Sequence, residues 1–129
     1  MSPTQPKIEA GGWTPSLRTL AAEVMDELIL RQTSLIISDP RNGSQNTFQG
    51  IREKILKKRY IKFSEWKDDF LNILSTTRMN MIESNPLIVD ICDDYEKEFL
   101  KKYEILEKMS LFMFKDVLSN IANEIRELI

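Results

Sequence analysis

Tyr60-Ile-Lys-Phe-Ser64-Glu-Trp66-Lys-Asp-Asp69-Phe70, running on to Met79-Asn80-Met81, is the stretch whose reading decides the fold. Ser64 followed by Glu65 has the hydroxyl and early acid of a helix N-terminus. Behind it, Trp66, Phe70, Ile73, Leu74, Thr77 and Met81 recur at intervals of 4, 3, 1, 3 and 4 residues. That spacing is one face of an α-helix, not the alternation of a strand.

Upstream, Phe48, Ile51 and Ile55 predict a short helix over Phe48 to Lys58, with Arg52, Lys54, Lys57, Lys58 and Arg59 on its outer side. Before it, Ser34 to Thr47 reads as a loop with an apolar start, punctuated by Pro40 and by Asn42-Gly43. The first helix is expected from Pro15-Ser16 to Gln32, with Leu17, Leu20, Val24, Leu28 and Leu30 as its apolar face and Thr14 as N-cap before a first-turn proline. Residues 1–15 hold three prolines and a Gly-Gly pair and read as a flexible lead-in, with Trp13 free to tuck against the body. Downstream, Asn85-Pro86 restarts the chain with a cap and a first-turn proline. From there to Ile129 no glycine or proline occurs. Ile88, Cys92, Tyr95, Phe99, Leu106, Met109, Met113, Val117, Ile121, Ile125 and Leu128 make a nearly unbroken stripe: one very long helix, or two broken near Ser110.

Composition narrows the function classes. A chain of 129 residues suits one domain with a real core. At 42% hydrophobic with four glycines and five prolines, it favours a helical globular protein over a disordered or all-β one. A net charge of −2 sets up no global field toward nucleic acid or membranes. Histidine is absent, which removes the usual general base and commonest metal ligand. The single cysteine, Cys92, forms no internal disulfide and suits a reducing compartment. The longest purely apolar run, Leu111 to Phe114, is far too short to span a bilayer, so a soluble intracellular chain is expected. No nucleophile–base pair, phosphate loop or metal-ligand spacing stands out, so no enzyme and no cofactor is expected.

Two pieces carry a family resemblance. Phe48-Gln-Gly-Ile51-Arg-Glu-Lys-Ile55 followed by Tyr60 resembles the short helix of the bromodomain family. Tyr60, Trp66 and Asp69 are similar to the tyrosine, aromatic and aspartate that open that family's next helix. The Ile88–Cys92–Tyr95–Phe99 stripe is similar to its last helix, so the resemblance covers Leu17 to Tyr103. It implies an all-α, left-handed antiparallel four-helix bundle with an extra C-terminal helical segment. It also implies a nuclear, chromatin-associated reader of acetylated lysine on histone-like tails, among other chromatin proteins.

Acetyl-lysine is a neutral amide on an aliphatic stem, so a reader needs a narrow apolar slot with a polar donor at depth. By resemblance Asn80 would be the donor, Ile88 the gatekeeper, and Leu35, Ile36 and Ile37 the shelf. Counted without gaps from Asp69, however, the anchor position is Met81. Pairing Asp68 with the family aspartate restores Asn80 but sends Asn72 to a buried position. The loop before Ile51 contains no tyrosine to hold a bridging water. Without the resemblance, Asn80 is an ordinary helix-end residue and Ile88 and Leu35 to Ile37 are core. The Lys57-Lys58-Arg59 run is a solvated helix end, so nucleic-acid contact is not expected. Asp90, Asp93 and Asp94 form an acidic patch that suits a lysine-rich tail or simply a first helical turn. Met109 to Phe114 is apolar on several sides and either packs on the body or binds another chain. The domain reading is therefore 1–15 lead-in, 16–108 bromodomain-like body, and 109–129 helical extension. The alternative to a reader is a degenerate bundle kept as a protein–protein scaffold.

Overall fold

The computed structural model describes the backbone of residues 10–37 and 47–128 and the side chains of residues 11–37 and 47–111. Regular structure among these residues is entirely helical: a 3-10 turn at Ala10–Gly12, then α1 (Pro15–Ile29), α2 (Ser34–Ile37), α3 (Phe48–Leu56), α4 (Phe63–Met81) and α5 (Pro86–Leu128). The chain is all-α.

The helix boundaries have local causes. Thr14 caps α1, its Oγ1 accepting from Leu17 N at 3.1 Å. The helix stops at Ile29, short of Gln32, because the buried Ser34 hydroxyl donates to the Ile29 carbonyl at 2.7 Å and turns the chain. Leu30, beyond that stop, faces solvent. The expected loop then begins with the helical turn α2, and the rest of it, residues 38–46, lies outside the described residues. Thr47 caps α3 through Gly50 N.

α3 closes at Leu56 by a route that composition hides. Lys58 takes the left-handed conformation at φ 58°, Arg59 N bonds back to Lys54 O at 2.9 Å, and Lys58 N to Ile55 O at 3.3 Å. This is a Schellman ending in which lysine occupies the glycine position. A non-glycine residue there costs on the order of 1 kcal/mol, so Lys58→Gly is expected to stabilise by roughly 0.5–1 kcal/mol. Urea denaturation would show it, and a lower midpoint would mean that the lysine side chain offsets the strain.

α4 starts at Phe63, one residue before the expected Ser64 cap. Phe63 is drawn into the core, stacking on Tyr103 with centroids 5.0 Å apart and meeting Trp13 edge-on at 4.8 Å. Glu65 then accepts from the Lys62 backbone N–H at 2.9 Å.

α5 is a single helix through Ser110, which no breaker interrupts. Met109, expected inside, is exposed, while the Ser110 hydroxyl donates to the Gly12 carbonyl at 2.7 Å. The side chains of Met113, Val117, Ile121, Ile125 and Leu128 lie outside the described residues.

α1 packs on α3 and α5, α4 packs on α5 and α3, and α2 touches α1 and α4. Trp13 before α1, Phe63 at the start of α4 and Tyr103 late in α5 meet at one end. Thr33 beyond α1 meets Tyr95, nearer the start of α5, with hydroxyls 2.7 Å apart. The middle is aromatic: Phe70 stacks on Phe99 at 3.9 Å and on Phe48 at 5.1 Å, and Trp66 sets its edge on Phe99 at 5.1 Å. Each such pair contributes about 0.5–1.5 kcal/mol beyond area burial. Arg18, buried in α1, donates to Ile55 O at 2.8 Å and so satisfies an end carbonyl of α3.

The segment read as a flexible lead-in is fixed from residue 10 onward. Trp13 is fully buried and Thr14 nearly so. Gly11 and Gly12 sit at φ 85° and 93°, and a Cβ on Gly11 would fall 2.1 Å from the Ile61 carbonyl oxygen. The glycine pair serves close approach here, not looseness.

Candidate functional site

The end opposite Trp13 is built from the close of α1, α2, the close of α4 and the start of α5, and the residues singled out for ligand contact lie on these elements. Thr77 pins it: its buried hydroxyl donates to Ile73 O at 2.8 Å and to Ile37 O at 3.4 Å, tying α2 to α4. Ile37 and Ile88 are buried in the core. Leu35 and Ile36, on the same helical turn as Ile37, face solvent.

In the first half of α4, Asp69 ties the helix to Tyr60 and α3. The Tyr60 hydroxyl donates to Asp69 Oδ2 at 2.6 Å, Lys54 reaches the same oxygen at 3.2 Å, and Asn72 is exposed. Asp69, and not Asp68, therefore holds the tyrosine. One residue turns a helix by about 100°. Met81 accordingly packs partly buried against the core, whereas Asn80 is exposed.

Around them lies an apolar surface that sequence periodicity missed. Leu30, Leu35, Met79, Ile82 and Leu87 are all more than half exposed, Met79 at 78% and Leu35 at 76%. One signal was available: Met79, Met81, Ile82 and Leu87 crowd a single helix–helix turn, more apolar residues than one inward stripe can take. Five of the eight large apolar side chains that are more than half exposed among the described residues lie at this end, the others being Ile61, Ile105 and Leu111.

Charge frames this end. Glu83, Asp90 and Asp94 are exposed. Arg78 is held between α4 and α5, with Nη2 at 2.8 Å from Asp93 Oδ1 and 3.4 Å from Glu96. Arg31 lies over the Tyr95 ring at 5.2 Å. Burial pushes the Cys92 thiol and the Tyr95 phenol up, leaving both protonated and poor nucleophiles.

The basic side of α3 is largely matched by acids: Arg52 with Asp26 at 2.5 Å, Lys54 with Asp69, and Lys57 with Glu53 at 3.8 Å. Among the described residues no group of three His, Cys, Asp or Glu side chains could hold a metal ion, and no helix is long and apolar enough to cross a membrane. The chain matches no protein-family model, no curated protein and no solved structure.

Proposed function

We propose that this chain is a bromodomain-like, left-handed four-helix bundle whose acetyl-lysine end has become a docking face for another protein, within a nuclear chromatin assembly of the kind the resemblance implies. The observation that carries this reading is the exchange at the close of α4: Met81 takes the inward position and Asn80 the outward one. A thioether is at best a weak acceptor and has no proton to give an acetyl carbonyl. An apolar slot without a donor would leave the buried acetyl amide unsatisfied, at about 1–3 kcal/mol. Leu35, Ile36, Met79, Ile82 and Leu87 instead suit the apolar face of an amphipathic segment. Glu83, Asp90 and Asp94 favour lysine or arginine on that partner's flanks. The order of Phe48–Ile55, Tyr60, Trp66, Asp69 and Ile88–Phe99 supports the bundle assignment.

The competing reading keeps Asn80 as an acetyl-lysine donor beside Ile88. A protein NMR titration separates the two. Multiply acetylated and unacetylated histone-tail peptides are expected to behave alike, and Asn80→Ala to change neither. A lysine-flanked amphipathic helical peptide is expected to shift Leu35, Ile36, Ile82 and Leu87, and Leu35→Glu combined with Ile82→Glu to remove that response. Shifts at Asn80 and Ile88 seen only with the acetylated peptide would restore the reader.

A further inference from the structure

Where α5 leaves the body, its apolar surface widens. Within the body the inward line is Ile88, Cys92, Tyr95, Phe99, Tyr103 and Leu106, all buried, ending at the Ser110–Gly12 hydrogen bond. Carried on at the same spacing, that line becomes Met113, Val117, Ile121 and Glu124, and so stays largely apolar. A second line beside it changes from polar to apolar. Read back into the body it holds Glu104 and Glu107, both exposed. Beyond Ser110 it becomes Leu111, Phe114, Leu118, Ile121, Ile125 and Leu128, at intervals of 3, 4, 3, 4 and 3. Leu111, the first of these, is 59% exposed. Alternating 3 and 4 spacing is a coiled-coil seam, which faces another helix lying alongside. The helix from Leu111 to Leu128 rises roughly 27 Å past the level at which Gly12 meets Ser110.

We infer that residues 111–128 pair with the same segment of a second copy of this chain, antiparallel, as a short two-stranded coiled coil. The seam is self-complementary when reversed: Leu111 comes level with Leu128 of the second copy, Phe114 with Ile125, and Leu118 with Ile121. Every layer is filled with no overhang, as a two-fold interface requires. The flanking positions place Lys115 beside Ala122 and Val117 beside Glu124, so no like charges meet. The reversed arrangement also sets the two bodies at opposite ends of the rod. This inference is independent of the docking face at the other end of the molecule.

Sedimentation equilibrium of the full chain over a concentration series tests it. The mass is expected to climb toward twice the 15.1 kDa of one chain. Leu118→Glu is expected to hold it at a single chain while the thermal midpoint of the body is unchanged. A wild-type chain that stays monomeric at millimolar concentration overturns the proposal, as does a dimer indifferent to Leu118→Glu. Orientation is read by mild oxidation: Leu111→Cys mixed with Leu128→Cys is expected to give a crosslinked pair, and Leu111→Cys alone none. Crosslinking of Leu111→Cys to itself would mean parallel chains and overturn the antiparallel pairing.

Discussion

Replacing Trp13 with alanine is expected to lower the unfolding free energy by about 3–5 kcal/mol, a large share of the roughly 5–15 kcal/mol that holds a domain together. The indole is fully buried between the start of α4 and the end of the body portion of α5, edge-on to Phe63 at 4.8 Å and tilted against Trp66 at 6.3 Å. The Arg18 guanidinium lies 4.7 Å from its ring centre. Truncation would open a void beside two aromatic rings and expose a buried cation's packing partner. Trp13→Phe is expected to cost far less than alanine. The indole N–H is buried with no hydrogen-bond partner among the described residues, so phenylalanine removes an unsatisfied donor along with some packing. Urea denaturation of the three proteins checks the ordering. Equal losses for alanine and phenylalanine would show that the N–H matters after all.

Alkaline pH is expected to unfold this protein in one step in which all three tyrosines ionise together. Tyr60, Tyr95 and Tyr103 are the only tyrosines, and each is buried. Burial is the largest cause raising each phenol, reinforced by the Asp69 carboxylate at Tyr60 and by Glu107 at Tyr103. In the unfolded chain each titrates near its ordinary value of about 10. Below that pH both states keep the proton and the stabilisation is fully present. Above it only the unfolded chain ionises, and stability falls by up to about 1.4 kcal/mol per pH unit for each tyrosine. It is lost as pH climbs toward the raised folded values. Phenolate absorbance and helical circular dichroism should therefore change at the same pH. Phenolate that forms while the helix signal stays intact would mean that the phenols reach solvent in the folded state.

How far the residues announced all this differs from element to element. The face of α4 was legible because Trp66, Phe70, Ile73, Leu74 and Thr77 are all buried, so the apolar spacing and the packing coincide. Helix ends were less so. α1 stops on a side-chain hydroxyl five residues on, and α3 stops on a left-handed lysine where a glycine would have been the sign. The Gly11-Gly12 pair misled for a related reason: composition equates glycine with freedom, while here it permits contact with Ile61. At the candidate site, Asn80 and Met81 are neighbours in sequence and a quarter-turn apart on the helix. The apolar spacing that runs from Trp66 to Met81 already put Met81 on the inward face, where it is partly buried, and left Asn80 exposed.

The unbroken passage of α5 from the body into its extension makes residue count a dial. With no cap or breaker to absorb a change, one residue inserted between Ser110 and Leu111 would swing everything beyond it by about 100° and advance it about 1.5 Å. Seven would lengthen the arm by roughly 10 Å while restoring nearly the same facing. The angle between whatever sits on the far arm and the apolar end of the body is thus stored as an integer. Length variation at this junction should be tolerated in steps of seven and punished in steps of one.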